Sequence, residues 1–408
     1  RSTPSNSSAA SDVYKRQVVV IAQSDRFFGY MKKTALDGRL WCVALLNGFY
    51  YPMEALEDAG ISGVNSIYVA NMAAEALQEQ AHLGALLAED LNLSGIPAFR
   101  VEAAEASGAA AVYAASSEIL SGKADAVLVV GGEKLSDGLA EEVTSILLMG
   151  QRQEYVGYIG ASFTALNALL YQLYLQRYNL SEEDVAIFPA ISHEHAAGVK
   201  HAQYPFKISL EKVLASPYVA KPLRRFEISG IGDGAAAIVL VGERLAEKLN
   251  TEKTELYIAA ATDYLTPFER EDPLYFPALA RASREALRMA SIERREIDLL
   301  ELHDSTSIMA AVSLESAGLA ERGKAGKLAK AGEFNLGGSL PCNTFGGLKA
   351  RGHPIGATGI YQIAEIYLQL TERAGGNQVD GAKVGMAQSI GGLGATAITT
   401  VLKRGDVE

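Results

Sequence analysis

The sequence has few cysteines, no long apolar run and no cluster of basic residues. Only two of its 408 residues are cysteine, Cys42 and Cys342, so neither a disulfide framework nor a CxxC metal site can form. No apolar run approaches the roughly 18 residues of a membrane-spanning helix. The formal net charge of −11, without a stripe of lysine and arginine, argues against nucleic acid as a partner. Together these absences favour a reducing environment, and we expect a cytoplasmic protein.

The chain also lacks an initiating methionine and an apolar leader segment. Residues 1–17, RSTPSNSSAASDVYKRQ, resemble translated vector or adaptor sequence, and we exclude them from fold prediction. The remainder is typical of a globular protein, with 49% apolar and 21% charged residues in the whole chain. The length suggests two or three domains of about 150 residues each.

Strand-like and helix-like runs alternate along the chain, and this pattern predicts a layered α/β fold with mostly buried strands. We expect both cysteines to be buried packing residues, Cys42 in the helical run WCVALL and Cys342 in a strand. The predicted strands cover 18–22, 66–70, 126–131, 235–241, 256–262, 297–302 and 395–402. The predicted helices cover 73–91, 106–121, 162–178, 182–197, 277–291, 308–319 and 356–373.

Three pairs of segments repeat in the same order in the two halves of the chain. EASGAAAVY (105–113) aligns with HPIGATGIY (353–361), and the run ending in VLVVGG aligns with MAQSIGG. DGAAAIVLV (233–241) aligns with LGATAITTV (393–401). Each match is weak alone, but their shared order indicates a duplicated α/β unit. We predict an N-terminal half over 18–250, interrupted by a loop domain at about 133–232, and a C-terminal half over 255–408.

The repeat places Glu105 and His353 at equivalent positions, each at the start of a helix. A pseudo-twofold axis would bring the two helix starts together, where free N–H groups and the positive dipole ends favour an anion or an oxyanion. Glu105 itself stands among small residues in RVEAAEASGAAAV. It is a residue stabilised by its helix dipole, a functional carboxylate, or the mark of a disabled site, and the sequence leaves these three alternatives open.

Four segments resemble the thiolase superfamily, in its sterol-carrier-type and archaeal-type branch. NTFGGLKARGHPIGATGIYQ (343–362) resembles the G-H-P-x-G-A-T/S-G signature, and SGIGDGAAA (229–237) resembles the segment before the last strand of the first half. ELHDSTS (301–307) is similar to the H-D-x-x-T segment, and 192–223 to the loop region of this branch. The resemblance covers about 18–404. It implies a five-layered αβαβα thiolase fold of two pseudo-repeated halves, with an inserted loop domain in the first half.

The resemblance also implies roles for individual residues. His353 matches the histidine of the G-H-P motif, which activates the nucleophile and helps to form one oxyanion hole. His303 matches the neighbouring position of that oxyanion hole. The backbone N–H groups of Glu105 and Gly391 match the second oxyanion hole. Ser229 matches a position near the pantetheine arm of coenzyme A.

The sequence departs from the family at the nucleophile. The family has C-x-S-G where this chain has E-A-S-G, so Glu105 stands where the acyl-accepting cysteine is expected. Ser305 and Ser389 stand at the two places where a second, acid/base cysteine is found. A carboxylate is a poor nucleophile toward a thioester, and classical thiolysis is therefore in doubt.

Three hypotheses follow from the resemblance. We expect a thiolase-like acyl-CoA enzyme of the acetyl-CoA C-acyltransferase family, active in lipid metabolism, that forms or cleaves a C–C bond without an acyl-cysteine. The alternative is a catalytically silent scaffold subunit that binds a CoA-carrying zinc-ribbon/OB-fold partner. Conventional acyl transfer through another residue is the hypothesis that the chemistry supports least.

The expected ligands follow from the same resemblance. A coenzyme A thioester is the expected substrate, and no permanently bound cofactor is expected. The family implies a homodimer or a dimer of dimers. His193, His195 and His201 lack a ligand pattern, so no metal site is predicted. Lys349 and Arg351 lie either against CoA phosphates or in a solvated loop, and both alternatives stay open.

Overall fold

The computed structural model describes residues 18–23, for the backbone only, and residues 52–405. The tail predicted at 1–17 and the predicted helical position of Cys42 lie outside the described residues. The described strands alternate with helices along the chain, as the sequence predicts. The strands are β1 Val18–Gln23, β2 Ser66–Ala70, β3 Ala98–Val101, β4 Ala126–Glu133, β5 Tyr218–Ala220, β6 Leu223–Arg224, β7 Gly234–Gly242, β8 Thr254–Thr262, β9 Leu299–Glu301, β10 Val384–Gly391 and β11 Thr396–Arg404.

The α-helices cover the faces of the strands and fill the space between them. A first helix covers 52–59. The labelled helices are α1 Ala74–Leu77, α2 Leu83–Asp90, α3 Ser107–Leu120, α4 Ala140–Leu148, α5 Phe163–Tyr178, α6 Glu183–Ala196, α7 Leu210–Leu214, α8 Glu243–Ala246, α9 Pro277–Ala290, α10 Ser307–Ser316, α11 Ala325–Lys330, α12 Gly347–Ala350 and α13 Ile355–Leu370. Short 3₁₀ turns cover Arg225–Glu227, Pro267–Glu269, Arg294–Glu296 and Gly375–Asn377, and a π-helical turn covers Gln153–Gly157.

Nine strands form one sheet in the order β3-β2-β4-β7-β1-β8-β11-β10-β9. The order is mirrored about the antiparallel pair β1–β8. On one side β2 and β4 are parallel and β4 and β7 antiparallel, and on the other β9 and β10 are parallel and β10 and β11 antiparallel. A parallel bridge from Leu300 to Cys342 takes the place that β3 holds beside β2. The sheet therefore consists of two copies of one unit, as the sequence repeat predicts.

The central layer is the helix pair α3 and α13, which lies between the two halves of the sheet. One hydrophobic cluster joins Val112 of α3 and Ile360 of α13 to Val129 of the first half and Ile398 of the second. The two helix starts cross with their backbones in contact. A Cβ atom on Gly108 would lie 2.8 Å from the backbone nitrogen of Gly359. Only glycine permits this approach, so the crossing is made by backbone rather than by side chains.

Further helices cover the outer face of each half of the sheet. In the first half, helix 52–59 and α2 pack on β2, β4 and β7. In the second half, α9 and α10 pack on β10 and β11. Because both faces of the sheet are covered, β4 and β10 are buried along nearly their whole length. The β4 sequence is a nearly continuous apolar run, whereas β10 contains Gln388 and Ser389. The result is the five-layered αβαβα arrangement.

The two copies differ most in the connection before their last strand. In the first half, residues 134–233 form the inserted loop domain, which contains α4 to α7 and the hairpin of β5 and β6. In the second half, a short turn at 392–395 connects β10 to β11. The insertion packs on the second half, where α5 and α6 share a hydrophobic cluster with α10. This contact brings the inserted loop domain next to the segment that follows β9.

The structure differs from the sequence prediction at several elements. The helix predicted over 73–91 is two helices, because Glu79 and His82 adopt positive φ angles of 56° and 62° between them. Residues 78–82 are polar except for Ala81, so this stretch has little apolar surface to bury there. The edge strand β3 and the helix α4 were not predicted, and β10 is predicted only through the repeat. In the part of the chain that the structure describes, every helix is too short or too polar to span a bilayer.

Candidate active site

Glu105 lies in a tight turn between β3 and α3. Ala104, directly before it, has a φ of 50°, a conformation that non-glycine residues seldom adopt. The Ser107 hydroxyl holds the turn, since it donates to the carbonyl of Ala104 at 2.6 Å and accepts from the N–H of Ala103 at 2.9 Å. Helix α3 has Ala106 at its N-cap and no side-chain cap bond. The Glu105 carboxylate therefore does not cap its own helix.

The Glu105 carboxylate is buried and only half satisfied. The residue is 1% exposed, and its Oε2 accepts the N–H of Gly392 at 2.6 Å. Its Oε1 has no hydrogen-bond partner among the described residues. Burial raises the pKa of Glu105 to about 7, although the N–H of Gly392 opposes the shift. Desolvation thus outweighs the hydrogen bond, and the pKa of Glu105 shifts upward. The sequence alone leaves the direction of this shift open.

His303 follows β9 and is held by the end of β10. The ring is buried, and its Nδ1 accepts the N–H of Ile390 at 3.3 Å. Because Nδ1 is an acceptor, the proton of the neutral ring is on Nε2. Burial, together with the charge of Arg351, lowers the pKa of His303 to about 3. His303 is therefore a neutral donor at Nε2, and that atom makes no hydrogen bond to any described residue.

His353 has the opposite tautomer. The Thr358 hydroxyl donates to the carbonyl of Pro354 at 3.0 Å, so its oxygen accepts from His353 Nδ1 at 2.7 Å. The proton of the neutral ring is then on Nδ1, and Nε2 is an acceptor. Burial, His303 and Arg351 hold the pKa of His353 well below its ordinary value. The two imidazole rings are perpendicular, with their centroids 5.3 Å apart.

The end of β10 joins these side chains into one site. The N–H groups that bind His303 and Glu105 belong to Ile390 and Gly392, so at most about 7 Å of chain separates them. Gly391 lies between, and a Cβ atom there would lie 2.5 Å from the carbonyl of Ala103. Glycine is therefore needed for the Glu105 turn to contact β10. The structure brings Glu105, His303, His353 and Gly391 together.

A cavity of about 790 Å³ opens in the inserted loop domain. Ser229 lies in its wall, and the N–H of Ser229 donates to the carbonyl of Ser305 at 2.9 Å, two residues after His303. Glu105, His303 and His353 do not line this cavity. Its lining residues are Thr164, His193, Tyr204, Phe206, Lys212, Ala215, Ser216, Pro217, Val219, Arg225, Phe226, Ile228, Ser229, Gly230, Ile231 and Lys349.

Models of protein families match nearly the whole chain. The thiolase N-terminal domain matches residues 19–244, and the thiolase C-terminal domain-like family matches residues 259–404. The chain belongs to the thiolase family.

Thiolase relatives agree with this assignment along the full length. The acetyl-CoA acetyltransferase of Methanothermobacter thermautotrophicus is 36% identical over 95% of this chain and 100% of its own length. That of Methanocaldococcus jannaschii is 37% identical over 86% of this chain and 91% of its own. Among solved structures, an Ltp2-ChsH2(DUF35) aldolase superposes with a TM-score of 0.79 at 18% identity, over 97% of this chain and 99% of that one. This last likeness concerns the fold.

The two serines of the thiolase motifs have different surroundings. The Ser389 hydroxyl donates to Oε1 of Gln362 at 2.7 Å and is buried. The Ser305 hydroxyl is buried and makes no hydrogen bond to a described residue. Neither hydroxyl is hydrogen-bonded to a histidine or a carboxylate, so neither has the base that a serine nucleophile requires.

Arg351 is a site residue that the sequence analysis underestimates. The structure excludes a solvated loop, because Arg351 and Lys349 are 3% and 5% exposed. Arg351 donates from Nε to Glu365 at 3.0 Å and from Nη1 to the carbonyl of Gly352 at 2.8 Å. It therefore fixes the residue before His353, while its Nη2 makes no hydrogen bond to a described residue. Its partner Glu365 lies far along α13, and no local pattern in the thiolase motif indicates this pairing.

His193, His195 and His201 do not form a metal site in this thiolase, and Cys342 is a packing residue. His193 contacts the carbonyl of Phe206, His195 that of Cys342, and His201 contacts Glu365, so the three rings are not directed at a common point. No group of three potential ligands among residues 52–405 could hold a metal ion. Cys342 is buried, and burial raises the pKa of its thiol well above the ordinary value. It is a packing residue, as the sequence predicts.

The site thus combines three complementary groups. His303 presents a donor at Nε2, His353 presents an acceptor at Nε2, and Glu105 presents a free carboxylate oxygen. A donor fixed in a buried site can stabilise a developing oxyanion. A carboxylate with a pKa of about 7 can remove a proton near neutral pH. The arrangement is suited to forming and stabilising an enolate.

Proposed function

We propose that this chain acts on coenzyme A thioesters and forms or cleaves a C–C bond next to the thioester carbonyl, through an enolate and without an acyl-cysteine. The observation that carries the proposal is the free Oε1 of the buried Glu105 carboxylate. In the E-A-S-G segment Glu105 stands where thiolases carry C-x-S-G, and we take it as the replacement of the acyl-accepting cysteine. It acts as a general base.

The chemistry of a carboxylate favours a base over a nucleophile. Attack of Glu105 on a thioester would give a mixed anhydride, which is less stable than the thioester itself. Proton abstraction forms no anhydride, and donors at the thioester oxygen can stabilise the enolate that it produces. A base is most effective when its pKa is close to the working pH. Burial brings the pKa of Glu105 to about 7 and supports this role.

The two histidines take different roles in this proposal. His303 donates from Nε2 to the thioester oxygen and stabilises the enolate, assisted by the N–H groups of Glu105 and Gly391. His353 accepts at Nε2 and moves the proton of the second reactant. The opposite tautomers support these different roles. In a site with both protons on Nε2, both rings would instead act as donors. Ser229 binds the pantetheine arm, and the exposed Lys212 and Arg225 beside the cavity bind CoA phosphates.

The names of similar proteins support C–C chemistry. The relatives with 36% and 37% identity are acetyl-CoA acetyltransferases. The solved structure with a TM-score of 0.79 is titled an aldolase, and aldol chemistry also proceeds through a carbanion next to a carbonyl. A fold that supports both reactions is compatible with replacement of the nucleophile by a base.

Exchange of α-protons tests the enzyme. The protein is incubated in deuterated water with acetyl-CoA, a longer acyl-CoA or a β-hydroxyacyl-CoA, and deuterium uptake is followed by mass spectrometry. We expect exchange in the wild type and a loss of about 10²–10⁴-fold in Glu105→Gln, because the amide keeps the shape and removes the base. His303→Ala should lose about 10²–10³-fold.

Two controls make the result specific. Glu102→Gln changes an exposed carboxylate three residues from Glu105 and should retain exchange. Intact-mass analysis after incubation with acyl-CoA should find no acyl adduct, and a stable adduct within peptide 100–112 would refute the base mechanism. Calorimetric titration with CoA should show that Glu105→Gln still binds ligand.

A silent scaffold subunit is the second candidate function. The aldolase neighbour supports it, since its title pairs Ltp2 with a second component, ChsH2(DUF35). Four large apolar side chains near the site are also exposed, which is typical of a docking surface: Met149, Tyr155, Tyr158 and Ile159. We propose a small zinc-ribbon/OB-fold protein as the partner, with the chain itself in a homodimer or a dimer of dimers. Binding without exchange, even with the partner present, would favour the scaffold over the enzyme.

A further inference from the structure

Lys349 is a buried cation in the wall of the cavity. It lies on α12, four residues before His353, and the residue is 5% exposed. Its ammonium lies 5.1 Å from the centroid of the Tyr204 ring. It makes no hydrogen bond or ion pair with any residue in the described part of the chain. An ammonium on so buried a residue, with an aromatic ring and no hydrogen-bonded partner among the described residues, is incompletely compensated, so an anion that enters the cavity would be bound favourably.

Among the described residues, the acidic group that acts on Lys349 is Asp304, and both of its oxygens already accept hydrogen bonds. Asp304 Oδ1 accepts the N–H of Leu348 at 2.7 Å, and Oδ2 accepts the Ser192 hydroxyl at 3.1 Å. Asp304 raises the pKa of Lys349, but burial has the larger effect and lowers it to about 8. Lys349 is therefore still mostly protonated at neutral pH, and its charge is only partly compensated.

The cations of the cavity are divided between its surface and its interior. Lys212 and Arg225 are exposed, whereas Lys349 is buried beside Tyr204 and His193. Burial, followed by the charge of Lys349, lowers the pKa of His193 to about 4, so His193 is neutral and does not compete as a cation. Exposed cations suit the phosphates of coenzyme A. A single buried cation suits a single anionic group that is carried inward on a chain.

Lys349 lies close in the fold to the segment that carries His303. Asp304, which influences Lys349, is adjacent in sequence to His303. Ser229, in the wall of the same cavity, donates its N–H to the carbonyl of Ser305, two residues after His303, so the cavity that holds Lys349 reaches the segment that carries His303. The phosphates of coenzyme A are at the other end of the pantetheine arm.

We propose that Lys349 forms a carboxylate subsite and that the preferred ligands are CoA thioesters whose acyl group ends in a carboxylate. The proposal rests on the proposed function only in taking a CoA thioester as the ligand. It concerns recognition, and it holds for an enzyme and for a silent CoA-binding subunit alike. The Lys349 ammonium donates hydrogen bonds to the carboxylate, which replaces the missing partner.

Matched pairs of ligands test the subsite by calorimetric titration of the full chain. Malonyl-, succinyl- and glutaryl-CoA are compared with propionyl-, butyryl- and valeryl-CoA, which have the same carbon number without the carboxylate. We expect at least one pair to favour the acid by about ten- to hundredfold, the size of a charge-assisted hydrogen bond. Lys349→Met, which keeps the length of the side chain, should bring that ratio close to one.

A matched control separates the carboxylate from the phosphates. Lys212→Met removes an exposed cation of the same cavity and should weaken both members of a pair and free CoA equally, so that the ratio is kept. The preference should also decline as the pH rises through about 8, because Lys349 then loses its proton. This titration needs only the wild-type chain and remains decisive if Lys349→Met fails to fold.

Two outcomes would overturn the proposal. Equal affinities within all three pairs in the wild type would exclude a carboxylate subsite. Equal weakening of free CoA and of both acyl-CoA classes by Lys349→Met would assign Lys349 to the phosphates. Neither outcome depends on α-proton exchange, so failure of the subsite is distinguishable from failure of the enzyme proposal.

Discussion

Glu105 and Glu133 are two buried glutamates with the same raised pKa and opposite surroundings. Each is at most 5% exposed, and burial raises the pKa of each to about 7. Glu105 accepts one backbone N–H and leaves Oε1 without a partner in the described structure. Glu133 accepts four hydrogen bonds, from Asn71 Nδ2 at 2.8 Å and from the N–H groups of Ala73, Met72 and Gly356 at 3.0, 2.9 and 3.0 Å.

Hydrogen-bond partners, rather than burial, distinguish a structural carboxylate from one that is available for chemistry. Glu133 ends β4 and binds the N-terminus of α13, so it ties the first copy to the second. In the other copy, the residue that follows β10, Gly392, donates its N–H to Glu105. In both copies the end of the strand contacts the start of the opposite copy's helix, but the carboxylate belongs to the strand end in the first copy and to the turn before the helix in the second. Of these two glutamates, only Glu105 has an oxygen without a hydrogen-bond partner in the described structure.

The largest expected difference between the two glutamates is in α-proton exchange. Glu105→Gln should lower the exchange rate by about 10²–10⁴-fold, whereas Glu133→Gln, corrected for the folded fraction, should lower it by less than about tenfold. Mass spectrometry of deuterium uptake measures both variants. Equal losses in both would mean that Glu105 acts through the structure and not as a base.

For the free energy of unfolding, we expect the larger effect from the Glu133 substitution and the smaller effect from the Glu105 substitution. In Glu133→Gln the amide NH₂ faces two N–H donors that lose their acceptor, and at about 1–3 kcal/mol for each we expect a loss of about 3 kcal/mol. Glu105→Gln keeps an oxygen for Gly392 and should not destabilise. Urea unfolding at neutral pH measures both. A destabilised Glu105→Gln with an unchanged Glu133→Gln would contradict the comparison.

The pH dependence of exchange should reveal the ionisation of Glu105. A general base must be ionised, so the rate should fall about tenfold per pH unit below a midpoint near 7 and level off above it. Glu133→Gln should keep this midpoint. A midpoint near the ordinary carboxylate value, or none between about pH 5 and pH 8, would exclude Glu105 as the titrating group.

The same pKa predicts the sign of a stability difference. The folded-state pKa of Glu105 is raised above its unfolded value, so the folded state binds the proton more tightly. The wild type should therefore lose stability relative to Glu105→Gln as the pH rises from about 4.5 to 7, by roughly 1–3 kcal/mol. Chemical unfolding of both proteins over this range measures the difference. A difference that grows as the pH falls would show the opposite sign and refute the assigned shift.

Two glycines provide the smallest test. A methyl group at Gly150 would lie 3.3 Å from the Ala104 Cβ and 3.8 Å from Glu105 Oε2, whereas one at Gly132, beside Glu133, would meet nothing within 4 Å. Gly150→Ala should desolvate Glu105 further and move the midpoint of the exchange profile upward by a few tenths of a pH unit, roughly. Gly132→Ala is the matched control and should leave it unchanged. A shift of equal size in both variants would show that the midpoint does not depend on the added methyl group's contact with Glu105.

Much of the fold could be predicted because its signals are local. The buried apolar runs of β2, β4 and β7 and the small-residue helix starts of α3 and α13 are visible in the sequence, and the repeat orders them into two copies. The edge strand β3 was not predicted, because Phe99 is 55% exposed and the run AFRV shows no clear alternation of apolar and polar residues. The helix predicted over 73–91 failed because the polar run in its middle has no face to bury.

From the sequence, the residues of the candidate site could be predicted, but not their hydrogen bonds or protonation. The motifs name Glu105, His303 and His353, but the hydrogen bond from Gly392 to Glu105 joins residues 287 positions apart. No local pattern predicts which oxygen of Glu105 stays free, or which nitrogen of each histidine carries the proton. The burial of Lys349 and the pairing of Arg351 with Glu365 are likewise consequences of packing between distant segments. These contacts decide the chemistry, and they exist only in the folded chain.

The backbone crossing of α3 and α13 has a consequence for how such a protein can change over generations. Because Gly108 and Gly359 meet without side chains, the spacing of the two helix starts does not depend on the identity of the residues that face the site. Position 105 lies outside that contact, so a different side chain can be installed there while the framework keeps its dimensions. The crossing therefore separates the dimensions of the framework from the chemistry of the site, so a residue that faces the site, such as the one at position 105, can change while the framework stays the same.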